Sequence, residues 1–227
     1  MTDSTVQEFF DAVYGKSSRY WWQVDWRYSA EPDDHVGSIL TATLLQWLRG
    51  KSALKVLDLG AGEGADAIRI AQLGHDVTAV DISATGCDKI QDFARQEGVS
   101  LHIENDDTLK FLQKSNTRFD VIIMHGILHY VASPEALLRE VQCKTAHGGV
   151  NSLAAFSRET PIPEPHLIVP VFQVDENSLS EIQYGNWSTR TFLENNKLEQ
   201  SHSDFPPHRH SFVKIFATKP ERSVEEL

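Results

Sequence analysis

The chain has 227 residues, 41% hydrophobic and 23% charged, which suits one soluble domain with a complete core. Its formal net charge of −11 and the absence of a dense Lys/Arg run argue against nucleic acid as a partner, since a phosphate backbone calls for a basic face. Cys87 and Cys143 give no disulfide framework, and neither a leader-like stretch nor a membrane span is visible, so a cytoplasmic enzyme is expected, monomer or homodimer, with no membrane partner.

Val6, Phe9, Phe10 and Val13 fall at i, i+3, i+4 and i+7, so an amphipathic helix opens the chain. Tyr14 to Tyr28 then gathers Tyr20, Trp21, Trp22 and Trp26 with Arg19 and Arg27, without a clean period. Such a stretch either covers a ligand, with Arg27 as the candidate contact, or forms a satellite core. Pro32-Asp33-Asp34 starts the next helix, whose stripe from Val36 through Leu40, Leu44 and Leu48 is core, and Gly50 ends it.

Lys55 to Leu59 reads as a buried strand and Ala65 to Leu73 as a helix ended by Gly74. Between them Gly60, Gly62 and Gly64 fit a tight turn that a ligand can approach closely. The next strand, Asp76 to Asp81, ends in a carboxylate, the layout of a Rossmann-type nucleoside site with the acid on the ribose hydroxyls. The spacing is Gly-x-Gly-x-Gly rather than the dinucleotide Gly-x-Gly-x-x-Gly, and Asp58 stands two residues before the first glycine. A carboxylate repels a diphosphate but favours an ammonium or sulfonium group.

Ser83 is a plausible N-cap for a helix running to Gly98, followed by a strand over Val99 to Glu104 and a helix over Thr108 to Lys114. Phe119 to Met124 is nearly all apolar, as a strand buried on both faces should be. His125-Gly126 follows at its carboxyl end, where open α/β sheets bind ligands. Ser133-Pro134 opens another helix, closed by His147-Gly148-Gly149, and Val150 to Phe156 is the fifth strand. After a proline-rich loop come a helical stretch near Glu176–Ile182, a short helix from Thr189, and closing strands at Leu198–Ser203 and Phe212–Thr218.

At its glycine turn the sequence resembles the class I S-adenosylmethionine-dependent methyltransferases, whose first motif reads Asp/Glu-x-Gly-x-Gly-x-Gly. The segment from Gly149 to Lys219 is similar to the tellurite-resistance (TehB-like) branch through Leu179, Tyr184, Trp187 and His208-Arg209. The resemblance implies an α/β fold, Rossmann-like, with a seven-stranded, mostly parallel sheet, an antiparallel last strand and helices on both faces. It also implies three regions: an N-terminal extension over 1–50, a methyltransferase domain over 51–219 and a tail over 220–227. The cofactor would be S-adenosyl-L-methionine, held by Asp58, Gly60, Ala61, Gly62, Gly64, Asp81, Ile82, Asn105, Asp106, Asp107, Met124, His125 and Gly126. Asn105 or Asp106 is the candidate for the adenine amino group. The acceptor would be a small molecule with a soft or anionic nucleophile, the alternatives being non-methyl chemistry on the same cofactor or a non-catalytic binding subunit. His208, Arg209, His210 and His125 are the catalytic candidates, and no residue is assigned to a metal. If the backbone is extended at His208, both imidazoles share one face and Arg209 lies on the other; if it is still turning, all three can converge.

Overall fold

In the computed structural model, residues 3–16, 38–175, 179, 184–199 and 206–222 are described. A seven-stranded sheet runs in the order β3-β2-β1-β4-β5-β7-β6. Its strands are β1 (Lys55–Leu59), β2 (Asp76–Asp81), β3 (His102–Asn105), β4 (Phe119–His125), β5 (Thr145–Phe156), β6 (Ser188–Glu199) and β7 (His208–Thr218). The first five are parallel, and β7 pairs antiparallel with both β5 and β6. This is the expected Rossmann-like class I methyltransferase architecture.

The strand period of two sends alternate side chains into two cores. Leu57 and Leu59 of β1 join Ile122, Met124 and Leu153 beneath α5 (Thr108–Lys114) and α6 (Pro134–Lys144), through Leu112, Leu137, Leu138 and Val141. Val56 joins Val121, Ile123 and Val150 on the other face, covered by α2 (Ile39–Leu48), α3 (Ala65–Gln72) and Ile90 of α4 (Ala84–Glu97). Helix α1 (Asp3–Lys16) packs against α4.

Several boundaries differ from the sequence expectation. Helix α2 begins at Ile39 behind Ser38, whose hydroxyl accepts from Leu40 N, while Pro32–Asp34 lies outside the described residues. Strand β3 is shorter, and β5 starts at Thr145, before Gly148-Gly149. The short helix expected from Thr189 and the strand expected from Leu198 are one strand, β6. Its register against β7 shifts between Glu194 and Lys197, where Asn196 takes φ +53°. That bulge interrupts the alternation, and β6 is an edge strand that is largely exposed, so neither period is written in its apolar residues. The stretch 176–182 lies outside the described residues apart from Leu179, as do Trp21, Trp22, Trp26 and Arg27.

Candidate active site

The carboxyl ends of β1, β2, β3 and β4 meet at the glycine turn. Gly60, Gly62 and Gly64 have φ of +68°, +57° and +83°, a region costly for any residue with a Cβ. A Cβ at Gly60 would stand 2.8 Å from Ile127, and one at Gly62 2.9 Å from the Tyr14 hydroxyl. The turn hangs on β2, because Gly60 N and Ala61 N both donate to Val80 O. Glu63, buried within it, is held by Lys89 at 2.6 Å.

Asp81 closes the turn from below. Its Oδ2 accepts from Gly62 N at 2.7 Å and its Oδ1 from Ser83 N at 2.8 Å. Burial pushes this carboxyl up to about 6, with the two N–H donors opposing and Asp11 adding to the rise. Asn105 donates to Asp81 O and Ile82 O, tying β3 to the same rim. Asp106 pairs with Lys114 at 2.8 Å, and Asp107 caps α5 by accepting from Lys110 N. The Asp107 side chain is therefore spent on a helix end.

Asp58 lies beneath the turn, and burial, then Asp66 and Asp81, push its carboxyl well above the usual range. Burial pushes Asp66 up as well, but His125, Arg69 and Thr41 together outweigh it and hold that carboxyl low. His125 Nδ1 stands 2.6 Å from Asp66 and Nε2 2.7 Å from the Ser152 hydroxyl, so both ring nitrogens have protein partners. Met124 is fully buried in the core beneath the rim, whereas Gly126, at φ +84°, has open space on its Cβ side.

Helix α1 covers this rim. Asp11 accepts from the Ser83 hydroxyl at 2.5 Å and from Thr85 N at 3.1 Å. Phe10 stacks on Tyr14 and meets Tyr130 edge-on, which lays the Tyr14 ring over Gly62 and Gly86. Sequence reasoning did not single out Asp11 or Ile127 as site residues, and it included Tyr14 only as the first aromatic of the stretch 14–28 read as a ligand cover or a satellite core. The signal for Tyr14 was its i, i+4 spacing from Phe10 on the buried stripe.

Further along the same edge, β5 ends and β7 begins. Strand β7 is extended from His208, so His208 and His210 are buried on one face and Arg209 is exposed on the other, where its Nη1 donates to Asn196 O. Arg209 therefore anchors the β6 bulge and is not brought to the imidazoles. His166 stands 3.3 Å from His208. His129 accepts from Phe156 N and is pushed down to about 3 by burial, then by His166 and His210. The Phe156 and Phe212 rings stack beside them.

Residues 56–149 match the methyltransferase domain family. That match spans less than half of the chain. A tRNA 5-carboxymethoxyuridine methyltransferase of Escherichia coli K12 is 35% identical over 113 residues, 48% of this chain and 42% of that protein. The chain thus spans less than half the length of that curated relative. Haemophilus influenzae TehB superposes with a TM-score of 0.64 at 20% identity, covering 78% of this chain and 61% of that one. The magnesium protoporphyrin IX methyltransferase of Synechocystis PCC 6803, solved with bound SAM, superposes with a TM-score of 0.64 at 18% identity over 96% of this chain and 98% of that one. The methyltransferase domain family uses S-adenosylmethionine, and the donor set here fits it. Three carboxylates, Asp58, Asp66 and Asp81, gather under a left-handed glycine cradle, a place that welcomes cations and repels phosphate. Among the described residues no helix is long and apolar enough to cross a membrane.

Proposed function

We propose that this chain transfers the methyl group of S-adenosylmethionine to a small-molecule acceptor with a soft or anionic nucleophile. The buried carboxylates under the glycine turn carry the reading, since their mutual repulsion is relieved by a ligand bearing an ammonium and a sulfonium. Asp81 receives the ribose hydroxyls, Asp58 faces the cationic end, and Asn105 with Asp106 borders the adenine. Gly60, Ala61, Gly62 and Gly64 give backbone contact, and Tyr14 covers the turn. When bound, the cofactor supplies an activated methyl group on sulfur. The protein aligns the acceptor with that methyl and excludes water, a positional effect of several kcal/mol.

The acceptor sits beside the cofactor over β5 and β7, against His129, Phe156, His210 and Phe212. These apolar rings and buried imidazoles suit a small molecule, and the net charge of −11 disfavours a polynucleotide. The test is release of S-adenosylhomocysteine with thiols, chalcogen oxyanions and small phenols, with tRNA as a separate arm. Turnover on small acceptors alone supports the reading. Methylation of tRNA alone overturns the acceptor class, and tight cofactor binding with no transfer to any acceptor favours non-methyl chemistry.

A smaller prediction concerns α1. Adding S-adenosylhomocysteine is expected to slow amide exchange in the Asp11–Lys16 turn, because a cover gains order from what it covers. Tyr14→Ala is expected to weaken cofactor binding about tenfold, or roughly 1.4 kcal/mol. Equal protection in both states, with unchanged affinity in the variant, would make α1 a fixed part of the fold.

A further inference from the structure

We propose that Glu199, His208 and His210 form a binding site for a divalent transition cation of the zinc type. The three lie on two paired strands. Glu199 of β6 stands directly opposite His208 of β7, and His210 is two residues further along the same face. Directly opposed residues in an antiparallel pair project to one side, so the register brings all three side chains together on rigid backbone.

Both distances from the carboxylate to the imidazoles fit a first coordination shell. One ligand atom from each residue lies within 4.8 Å of the others. His208 Nε2 is 3.5 Å from Glu199 Oε2, and His210 Nδ1 is 3.1 Å from the same oxygen. Bonds of about 2.0–2.2 Å in a tetrahedral zinc site place neighbouring ligand atoms about 3.3–3.6 Å apart.

The hydrogen bonding points the same way. His208 Nδ1 lies 2.9 Å from Pro206 O, a carbonyl that can only accept, so Nδ1 donates there and Nε2 is the atom turned toward Glu199. Nε2 stands 3.5 Å from Glu199 Oε2 and 3.3 Å from His166 Nε2, so the three atoms converge. A ring nitrogen donating to a backbone carbonyl while the other is aimed inward is the usual outer-shell support of a metal-bound histidine. His210 Nδ1 is buried and makes no hydrogen bond, although it stands 3.1 Å from Glu199 Oε2.

His208 and His210 are buried, and Phe156 and Phe212 pack against the His210 ring, giving the low-dielectric wall that strengthens ligation. Two imidazoles and one carboxylate select a borderline cation over magnesium or calcium, and three protein ligands leave a position open. His166 Nε2, 3.3 Å from His208 Nε2, borders that position. The cluster occupies the edge of the sheet where the acceptor is placed, so the open position suits an anionic oxygen or thiolate of the acceptor. That last assignment rests on the methyl-transfer reading; cation binding itself does not.

The experiment uses the full chain without a purification tag, stripped with chelator and dialysed. Zn2+ is titrated by calorimetry and Co2+ by its visible absorption. The expected result is one ion per chain, a tetrahedral Co2+ spectrum, and a Zn2+ affinity that falls at least about tenfold in Glu199→Gln, His208→Ala and His210→Ala, the loss that even an outer-shell partner causes. Glu199 is the least buried of the three, so Glu199→Gln keeps the test valid if a histidine variant does not fold. Absence of binding at about 100 µM Zn2+, where a site with a dissociation constant of about 10 µM would be roughly nine-tenths filled, overturns the proposal. Affinity unchanged in a folded Glu199→Gln/His210→Ala double variant overturns it equally. Zn2+ binding in a chain that releases no S-adenosylhomocysteine upholds the site while removing the methyl-transfer reading, so the two fail separately.

Discussion

Replacing Asp81 with Ala is expected to weaken S-adenosylmethionine binding by about 1.5–3 kcal/mol, roughly 10- to 150-fold, the range for a charge-assisted hydrogen bond at a buried site. Asp81 holds Gly62 N and Ser83 N, one on the glycine turn and one leading into α4. The proposed ribose contacts add to those two bonds. The variant therefore loses the ligand contacts and also frees the turn that shapes the cradle. Asp81→Asn keeps one acceptor oxygen and is expected to lose less. Calorimetric affinity unchanged in Asp81→Ala would sink the assignment.

The same carboxyl predicts a pH dependence. Its folded value of about 6 lies above the ordinary value of 3.8. Between those values the folded state binds more protons than the unfolded state, so the apo protein loses stability as pH rises through the window, by about 3 kcal/mol in all. A cationic ligand favours the ionised form and reverses the trend. Affinity for S-adenosylmethionine is expected to fall about tenfold from pH 7 to pH 5, where only about a tenth of a group titrating near 6 remains ionised. A flat affinity between pH 7 and pH 5 would remove Asp81 from the ligand contacts.

The cofactor half of the fold was legible because its signals are local. Three glycines at alternate positions, an acid at each flanking strand and apolar runs over Val56–Leu59 and Phe119–Met124 each follow from backbone sterics or burial, and the structure realises them as β1, β2 and β4 with the turn between. The alternation argument likewise separated Arg209 from His208 and His210 once the strand began at His208. What was not legible depends on partners distant in sequence. His125 looked like a site residue at a strand end, yet Asp66 and Ser152, 59 and 27 positions away, hold both its nitrogens. Glu199 carries no mark in a polar edge strand, and only the register against β7 sets it opposite His208. Asp11 is an ordinary exposed-face acid by pattern, and its bonds to Ser83 and Thr85 exist only after α1 docks on α4.

Asp66 is expected to give the largest stability effect. It stands at the start of α3, faces the buried Arg69 one turn on, accepts from the Thr41 hydroxyl of α2 and meets His125 of β4 at 2.6 Å. One carboxylate thus ties two helices to the central strand. Asp66→Ala removes the anion and leaves the Arg69 guanidinium without that counter-charge in a region walled from water, a change that typically costs about 3–5 kcal/mol. Relief of Asp58, whose carboxyl Asp66 pushes up, offsets part of this, so the lower end of that range is expected. For a chain of this size each kcal/mol moves the melting temperature by about 2–4 °C, giving a drop of roughly 6–12 °C at pH 7. The folded Asp66 carboxyl is held below its usual value, so its contribution is complete above about pH 4 and is lost as pH falls through the lowered value. Melting curves of the parent and the variant should therefore converge in acid. Asp66→Asn, which can still accept from Thr41, should fall between them at pH 7. A variant that melts with the parent at pH 7 would show that this network adds nothing to stability.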